Sequence, residues 1–236
     1  QMCIRDRETV ERGHDEPLEI ALRAAAERIP RAGVEAVSHR VVHGGVEFTR
    51  AVVLDAAVED ALGKLVALAP LHNPPALEGI RIARETFPDV PAVAVFDTAF
   101  HAERSLTSRL YALPWDIALS HGLYRYGFHG IAHASLVDSL ARSTGCDPHA
   151  IDAVTLQLGS GCSACAVQNG CSIETSMGFT PLGGLTMATR SGDIDPAVVF
   201  HLSRNGYALD EIETLLNRRS GLLALGGSAD MREVLE

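Results

Sequence analysis

Hydrophobic and polar positions in the first hundred residues follow two repeats, one typical of helices and one typical of strands. Residues 17–29, PLEIALRAAAERI, place apolar side chains at helical spacing on one face. Residues 34–42, VEAVSHRVV, read as a buried strand, and residues 90–96, VPAVAVF, are a near-continuous apolar run, as in a strand that is buried on both faces. Residues 55–68 and 76–85 return to the helical spacing. The pattern therefore predicts helices that alternate with buried strands.

The second half of the chain combines one long helix, a run of short strands and further helices. Residues 111–126 are aromatic and irregular, and Gly145 is expected to end a helix at 131–143. Asn169-Gly170 is a strong hairpin signal between two alternating segments. The other predicted elements are strands at 152–158, 162–168 and 171–175, helices at 197–204, 209–218 and 231–236, and a glycine-rich loop at 220–230.

Polar side chains stand where the predicted strands of the first half end. Strands that alternate with helices indicate an α/β domain, in which ligands gather at the carboxyl ends of strands. Arg40 lies late in the first strand and Asp97 directly follows the second. His72 lies in a polar, rigid turn at 71–75, LHNPP, before the next helix. We expect these three residues to share one site.

Composition narrows the class of partner. The 236 residues are 47% hydrophobic and carry a formal net charge of −10. No block of lysine and arginine stands out, so we expect no nucleic acid partner. No apolar run approaches the roughly 20 residues that a membrane helix needs, and we expect a cytoplasmic protein that binds no membrane. The opening residues 1–7, QMCIRDR, follow no pattern, and we expect them to be an artefact outside the fold.

The five cysteines include Cys162-x-x-Cys165, a spacing also found in zinc and redox sites. Three residues along a strand place the two thiols on opposite faces, and the chain has no second Cys-x-x-Cys. We therefore favour small, packed thiols over a metal site.

A long glycine-rich loop at 176–196 carries Arg190, followed by Ser-Gly-Asp. A guanidinium is a rigid, permanently charged fork that suits carboxylate or phosphate oxygens. Asp195-Pro196 then reads as a helix start, with Asp as cap and Pro in the first turn. The alternative interpretation is a surface loop whose arginine pairs with a neighbouring aspartate.

His129 lies between two glycines at the start of the helix at 131–143. Its spacing from His133 is that of a helical zinc pair, but the accompanying glutamate is absent and no third ligand is obvious. Because a helix start favours an anion, we interpret His129 as an oxyanion contact, with a histidine that caps a turn as the alternative. Gly159-Ser160-Gly161 forms a turn that lets backbone approach a phosphate.

Arginines, histidines and glycine turns together, without a Ser-His-Asp set or a metal cluster, indicate phosphoryl chemistry. Five segments that hold them resemble the acetate kinase family, which belongs to the wider actin and sugar-kinase-like superfamily. These segments are SHRVVHGG at 38–45, LAPLHNPP at 68–75, VFDTAFH at 95–101, YGFHG at 126–130 and TRSGDIDP at 189–196.

The resemblance implies an α/β, two-domain, actin-like and ribonuclease H-like fold, with mixed sheets flanked by helices and a cleft between the domains. We expect a first domain at 1–99 and a second at 100–236, each incomplete. The implied activity is reversible, direct in-line transfer of the ATP γ-phosphoryl to acetate, giving acetyl phosphate and ADP, with Mg²⁺. The implied assembly is a homodimer.

The resemblance also implies roles for the five polar residues. Arg40 and Arg190 would hold the carboxylate and the transferring phosphoryl. His129 would stabilise the phosphoryl oxygens in the transition state, with His72 assisting. Asp97 would orient the site and its Mg²⁺ without being assigned as a metal ligand. The residues that match the pocket around the acyl methyl are Val42, Leu71, Phe128 and Pro181.

The chain departs from the family pattern in three places. The family's first strand and its Asn-Cys-Gly-Ser-Ser-Ser turn are not found before Pro17, and a late glutamate tied to Mg²⁺ is not found in the sequence. The family's His-Leu-Gly-Asn-Gly phosphate turn is replaced by Gln157-Leu158-Gly159-Ser160-Gly161, whose Gln and Ser still hydrogen-bond phosphate. We therefore expect the middle part of a kinase.

Two alternatives stay open. Propionate or butyrate kinase differs from acetate kinase in the volume of the acyl pocket, where one methylene is worth only about 1–3 kcal/mol. A catalytically silent protein that binds nucleotide or carboxylate would fit the missing phosphate-loop and Mg²⁺ residues.

Overall fold

The computed structural model describes residues 33–70 and 72–236, together with Ile20 and Ala24. Apart from those two positions, the helix predicted at 17–29 lies outside the described residues, as do residues 1–7 and the pocket residue Leu71.

The first sheet is mixed. It contains β1 (Val37–Val41), β2 (Val52–Val53) and β3 (Ala92–Phe96) in the order β1-β3-β2. β1 pairs with β3 in parallel, and β2 pairs with β3 antiparallel. The two predicted strands are thus neighbours, each starting two or three residues later than predicted. The prediction that the first is a buried strand is wrong for most of β1, where only Val41 is buried. Because β1 and β3 are parallel, their carboxyl ends meet at one edge of the sheet.

Two helices pack against this sheet. Helix α1 (Ala56–Lys64) begins after Asp55, whose carboxylate accepts from Val58 N at 2.8 Å, and continues as a 3₁₀ turn at Leu65–Leu68. Helix α2 spans Asn73–Thr86, so the prediction of a turn through 73–75 is wrong. Both prolines fall in the first turn, where a helix needs no N–H donor, and therefore start the helix instead of blocking it. The buried apolar core between these elements contains Leu62, Ile80, Ala92, Ala94 and Phe96.

The segment after β3 is less irregular than predicted. It holds a 3₁₀ turn at Ala99–His101 and two short helices, α3 (Leu106–Arg109) and α4 (Trp115–Ser120). The prediction of an irregular stretch through 111–126 is therefore wrong at α4, which starts directly after Pro114. Its lack of amphipathic spacing explains the miss, because much of its apolar surface is exposed.

The second sheet is an antiparallel meander. Helix α5 (Gly130–Thr144) precedes it and ends at Gly145, as predicted. The strands β4 (Ala153–Leu158), β5 (Cys162–Gln168) and β6 (Cys171–Thr175) pair in chain order. At the β5–β6 turn, Asn169 and Gly170 have φ of 50° and 76°, the left-handed conformation that the Asn-Gly signal predicts. A buried cluster between α5 and the meander contains Val137, Ala141, Ile151, Cys165 and Val167.

The last part of the described chain is helical. Asp195 accepts from Ala197 N at 2.8 Å at the predicted helix start. The predicted loop at 220–230 contains a short helix, which was missed because its glycines mask an apolar Leu-Leu-Ala-Leu core. The helices are α6 (Ala197–Arg204), α7 (Leu209–Arg218), α8 (Gly221–Gly226) and α9 (Met231–Val234). Within the described ranges, no helix has the length and apolarity to cross a membrane.

The fold is of the α/β class, as expected, but only the first sheet is mixed, whereas the second is antiparallel throughout. The division into domains at residue 99 stays a prediction.

Candidate active site

Arg40 and Asp97 form an ion pair at the carboxyl edge of the first sheet. The parallel register places the end of β1 beside the end of β3, and Asp97 N donates to Val41 O at 3.1 Å. Arg40 donates from Nε to Oδ1 at 3.0 Å and from Nη2 to Oδ2 at 2.5 Å. The Asp97 side chain is 2% exposed, whereas that of Arg40 is 59% exposed. Asp97 therefore anchors a guanidinium that still faces outward.

This pairing stabilises the charged form of Arg40. The hydrogen bond to Asp97 raises the pKa of Arg40 above its usual value, and the carboxylate charge adds to the effect. In the described part of the chain, Nη1 of Arg40 makes no hydrogen bond, so one edge of the fork remains available to a ligand.

His129 stands at the start of α5 in the left-handed conformation, with φ of 58°. The next residue, Gly130, donates its N–H to Asp97 O at 2.7 Å. A Cβ at Gly130 would lie 2.3 Å from that oxygen, so only glycine allows the helix to approach the end of β3. The glycine after the histidine therefore brings His129 to the Arg40–Asp97 pair.

Arg190 reaches the site from the long loop. Its Nη1 donates to Pro181 O at 2.7 Å. A Cβ added to Gly161 would lie 2.6 Å from Arg190 Nη2. It would also lie 3.4 Å from His129 Cε1. The turn itself is held to the loop by Ala188 N, which donates to Ser160 O at 3.1 Å. The bare backbone of Gly161 thus leaves room for the ends of Arg190 and His129 beside the turn between β4 and β5.

The electrostatics of the site favour an anion. Arg190 is half-buried and forms no ion pair with a carboxylate among the described residues, and burial lowers its pKa. Burial also lowers the pKa of His129; Asp97 opposes this, while Arg190 and Arg40 add to it.

His72 belongs to the same group. Burial lowers its pKa, and the charges of Arg190 and Arg40 lower it further against the opposing effect of Asp97. All five polar residues singled out in the sequence therefore lie within one electrostatic neighbourhood. Its two arginines and one carboxylate leave a net positive site.

Two of the four apolar residues expected around an acyl group lie in the same buried cluster. Val42 and Phe128 belong to one buried cluster with Tyr124, Tyr126, Met177 and Met187. Pro181 contributes the carbonyl that binds Arg190.

No group of three or more His, Cys, Asp or Glu side chains is placed to hold a metal ion in the ranges that the structure covers. Cys162 and Cys165 lie on opposite faces of β5, as the spacing predicts. Cys165 is buried and Cys162 is half-buried, so the prediction of packed thiols is confirmed for Cys165 and only in part for Cys162. His133 is fully buried and binds two hydroxyls, so it is not turned toward His129 as a zinc partner.

Sequence reasoning missed the groups that tie His72 to the sheet. His43 and Asn73 exchange two hydrogen bonds, from His43 N to Oδ1 at 3.3 Å and from Nδ2 to His43 O at 3.2 Å. Gly44 N donates to Thr98 Oγ1 at 3.1 Å. These bonds fix the start of α2, and with it the backbone next to His72, against the ends of β1 and β3. The available signal was that all these residues fall inside the motifs quoted above.

A separate open groove of about 750 Å³ lies between the first sheet and α5 and is lined by Phe96, Phe100, Asp138 and Arg142, among others. None of the five site residues lines it. Its apolar lining and single exposed arginine do not match the converging charges described above.

Comparison with known proteins identifies the family of the chain. Residues 7–236 match the model of the Acetokinase family. The chain is 51% identical to an acetate kinase of Clavibacter michiganensis subsp. michiganensis, over 94% of this chain and 57% of the relative. Among solved structures, a propionate kinase from Francisella tularensis subsp. tularensis SCHU S4 superposes with a TM-score of 0.88 at 41% identity, over 93% of this chain and 57% of that chain. Porphyromonas gingivalis acetate kinase superposes with a TM-score of 0.85 at 36% identity, over 94% of this chain and 57% of that chain. The chain spans about half the length of the curated relatives that it matches.

Proposed function

Because the chain belongs to the Acetokinase family, we propose that the complete protein is an acetate kinase. A carboxylate oxygen of acetate attacks the γ-phosphorus of ATP in line, the bond to the ADP oxygen breaks, and acetyl phosphate and ADP are released. The observation that carries the proposal is Arg190, a half-buried cation without a carboxylate partner among the described residues, which meets His129 at Gly161. Such a charge calls for an anionic ligand.

The two arginines take different parts in this reaction. Arg40, fixed by Asp97, binds the acetate carboxylate through the free edge of its guanidinium. Arg190 and His129 hydrogen-bond the equatorial oxygens of the transferring phosphoryl, and His72 assists. Because phosphoryl transfer needs alignment and charge stabilisation more than a protein nucleophile, this set suffices for the chemistry at the acceptor side.

The acyl group and the phosphate chain of the nucleotide have separate contacts. We assign the acetate methyl to Val42, Leu71, Phe128 and Pro181. We assign the nucleotide phosphates to the turn at 157–161, where Gly159 and Gly161 leave the backbone open. Gln157 and Ser160 provide neutral hydrogen bonds in that turn, where a histidine could carry a charge.

Magnesium would enter with the nucleotide. Mg²⁺ keeps several waters and uses only one or two protein carboxylates beside the phosphates, so the lack of a three-residue cluster in the described part does not conflict with it. Asp97 fits a supporting role, because its carboxylate is fixed and each oxygen keeps a free lone pair. The ion would neutralise charge on the phosphates.

A second candidate, propionate kinase, is supported by the similarity to the Francisella protein. The two reactions differ by one methylene in the acyl pocket, worth about 1–3 kcal/mol. Rates of ADP release by the complete protein with acetate, propionate and butyrate decide between them, and we expect acetate to be the best of the three. ATP binding without ADP release on any of these acids would contradict a kinase and support a silent binding protein.

We extend the proposal to a homodimer, as the family resemblance implies, and to the cytoplasm, as the lack of a long apolar run in the sequence indicates. Light scattering of the complete protein tests the dimer.

A further inference from the structure

Behind His129, two hydroxyls and a second histidine form a continuous hydrogen-bonded chain. Ser163 Oγ lies 2.8 Å from His129 Nδ1 and 2.8 Å from His133 Nε2. Thr155 Oγ1 lies 2.7 Å from His133 Nδ1. Thr155, His133 and Ser163 are all buried. The chain thus runs from β4 across the face of α5 and β5 to the imidazole that faces Arg190.

The hydroxyl of Thr155, at the end of the chain farthest from His129, sets the direction of these hydrogen bonds. Thr155 Oγ1 has two possible acceptors beside it, His133 Nδ1 at 2.7 Å and the sulfur of Cys165. A thiol sulfur is a weak acceptor, whereas an unprotonated imidazole nitrogen is a strong one. If His133 Nδ1 donated to Thr155, the buried hydroxyl hydrogen would have only that sulfur to bind, which is costly. The hydroxyl of Thr155 therefore donates to His133 Nδ1.

The remaining hydrogens follow, because a neutral imidazole carries one hydrogen and a hydroxyl has one to give. His133 bears its hydrogen on Nε2 and donates it to Ser163 Oγ. Ser163 then donates its own hydrogen to Nδ1 of His129.

We propose that Thr155, His133 and Ser163 are positioning residues that hold His129 in the tautomer with its hydrogen on Nε2. In this state the nitrogen that is not bound to Ser163 is a hydrogen-bond donor. The opposite tautomer would turn a lone pair toward an incoming anion and repel it. That the anion is the transferring phosphoryl rests on the function proposed above.

The choice of tautomer matters because the histidines are neutral near pH 7. Burial lowers the pKa of His133 to about 4, and the charge of His129 contributes. The pKa of His129 is also lowered, first by burial. A neutral imidazole donates from only one of its nitrogens, so its neighbours decide which one.

A second buried network provides a matched control. His101 donates from Nε2 to Phe128 O at 3.0 Å, and a carbonyl can only accept, so this histidine's tautomer is fixed without help. Its Nδ1 lies 2.8 Å from Ser172 Oγ. Replacing Ser172 removes a buried hydroxyl of the same sheet but leaves the hydrogen positions at His129 unchanged.

The test is ¹⁵N NMR of histidine-labelled complete protein, because protonated and unprotonated ring nitrogens have well-separated shifts. In the wild type we expect His129 Nε2 to be protonated. Thr155→Val keeps the shape and removes the hydroxyl, so both tautomers of His129 should appear. We expect kcat for acetate to fall roughly tenfold with KM within about twofold. Thr155→Ser should restore both readouts, and Ser172→Ala should leave the His129 spectrum unchanged.

A wild-type His129 protonated on Nδ1 would overturn the proposal. This measurement uses the wild-type protein and does not depend on whether any variant folds. Equal losses in Thr155→Val and Ser172→Ala, with an unchanged His129 spectrum, would also overturn it, because the hydroxyl would then matter only for packing. An Nε2-protonated His129 in a protein that releases no ADP on any short-chain acid would support the tautomer and contradict the proposed function.

Discussion

The two arginines of the site are held in opposite ways by the two sheets. At the end of β1, Arg40 is exposed and bound in two places by a buried carboxylate. In the loop beside the β4–β5 turn, Arg190 is half-buried and bound by the carbonyl of Pro181. A carboxylate cancels charge while it fixes position, whereas a carbonyl fixes position and leaves the charge. The guanidinium of Arg40 is therefore oriented and neutralised before any ligand binds, whereas that of Arg190 is oriented but keeps its charge.

This difference suits the two ends of the phosphoryl transfer that we propose. A carboxylate substrate needs a guanidinium of fixed orientation, which the Arg40–Asp97 pair provides before binding. The phosphoryl group needs stabilisation as negative charge moves onto its oxygens in the transition state. An arginine without a carboxylate partner, partly shielded from water, stabilises that charge most strongly. The comparison thus predicts that disturbing Arg190 changes turnover, while disturbing the Asp97 pair changes binding of the acid.

Arg190→Ala should have the largest effect. We expect kcat to fall about 100-fold, since a charge-assisted bond contributes about 1.5–3 kcal/mol and this one acts in the transition state. KM for acetate should change much less. Steady-state kinetics of the complete protein measure both constants.

The matched variant is Arg190→Lys, which keeps the charge but loses the planar fork. It should recover part of the turnover. A rise in KM with unchanged kcat in Arg190→Ala would contradict the role given to this residue and would remove the contrast between the two arginines.

Asp97→Asn tests the other region. The amide keeps the shape but cannot accept two bonds from Arg40, so the guanidinium loses its fixed orientation. We expect KM for acetate to rise about tenfold, with a smaller fall in kcat because His129 also loses a neighbouring negative charge.

Glu78→Gln is the control. Glu78 forms an ion pair with Arg81 on the surface of α2, and we assign neither residue to the site. This variant should leave both constants unchanged. If Asp97→Asn lowered only kcat and left KM as in the wild type, Asp97 would act on the phosphoryl side and the assignment of Arg40 to the acid would be wrong.

The sequence predicted the strands and the five polar residues of the site better than the contacts between them. Strand patterns predicted β1 and β3, and the polar residues Arg40 and Asp97 at their ends lie together in the structure. The start of α2 was missed because Pro74 and Pro75 suit both a turn and a first helical turn. Helix α4 was missed because it lacks an amphipathic pattern.

The hydrogen bonds behind the site could not be predicted, because they depend on register between elements far apart in sequence. Ser163 meets both histidines only because β5 pairs with β4 so that Ser163 faces Gln157 and Cys165 faces Thr155. One residue of slip would turn Ser163 to the other face of the sheet. No single-sequence pattern carries that register.

The smallest effect concerns the turn that joins the two regions. A methyl on Gly161 would lie 2.6 Å from Arg190 Nη2 and 3.4 Å from His129 Cε1. The end of an arginine side chain can move, so Gly161→Ala should fold and displace the guanidinium by a fraction of an ångström. We expect kcat to fall about fivefold, close to 1 kcal/mol, with KM for acetate unchanged because Arg40 is untouched. Gly63→Ala, at an open position on α1, should leave both constants as they are. If Gly161→Ala were as active as the wild type, Arg190 would not need the bare backbone of this turn, and the β4–β5 tip would serve the nucleotide alone.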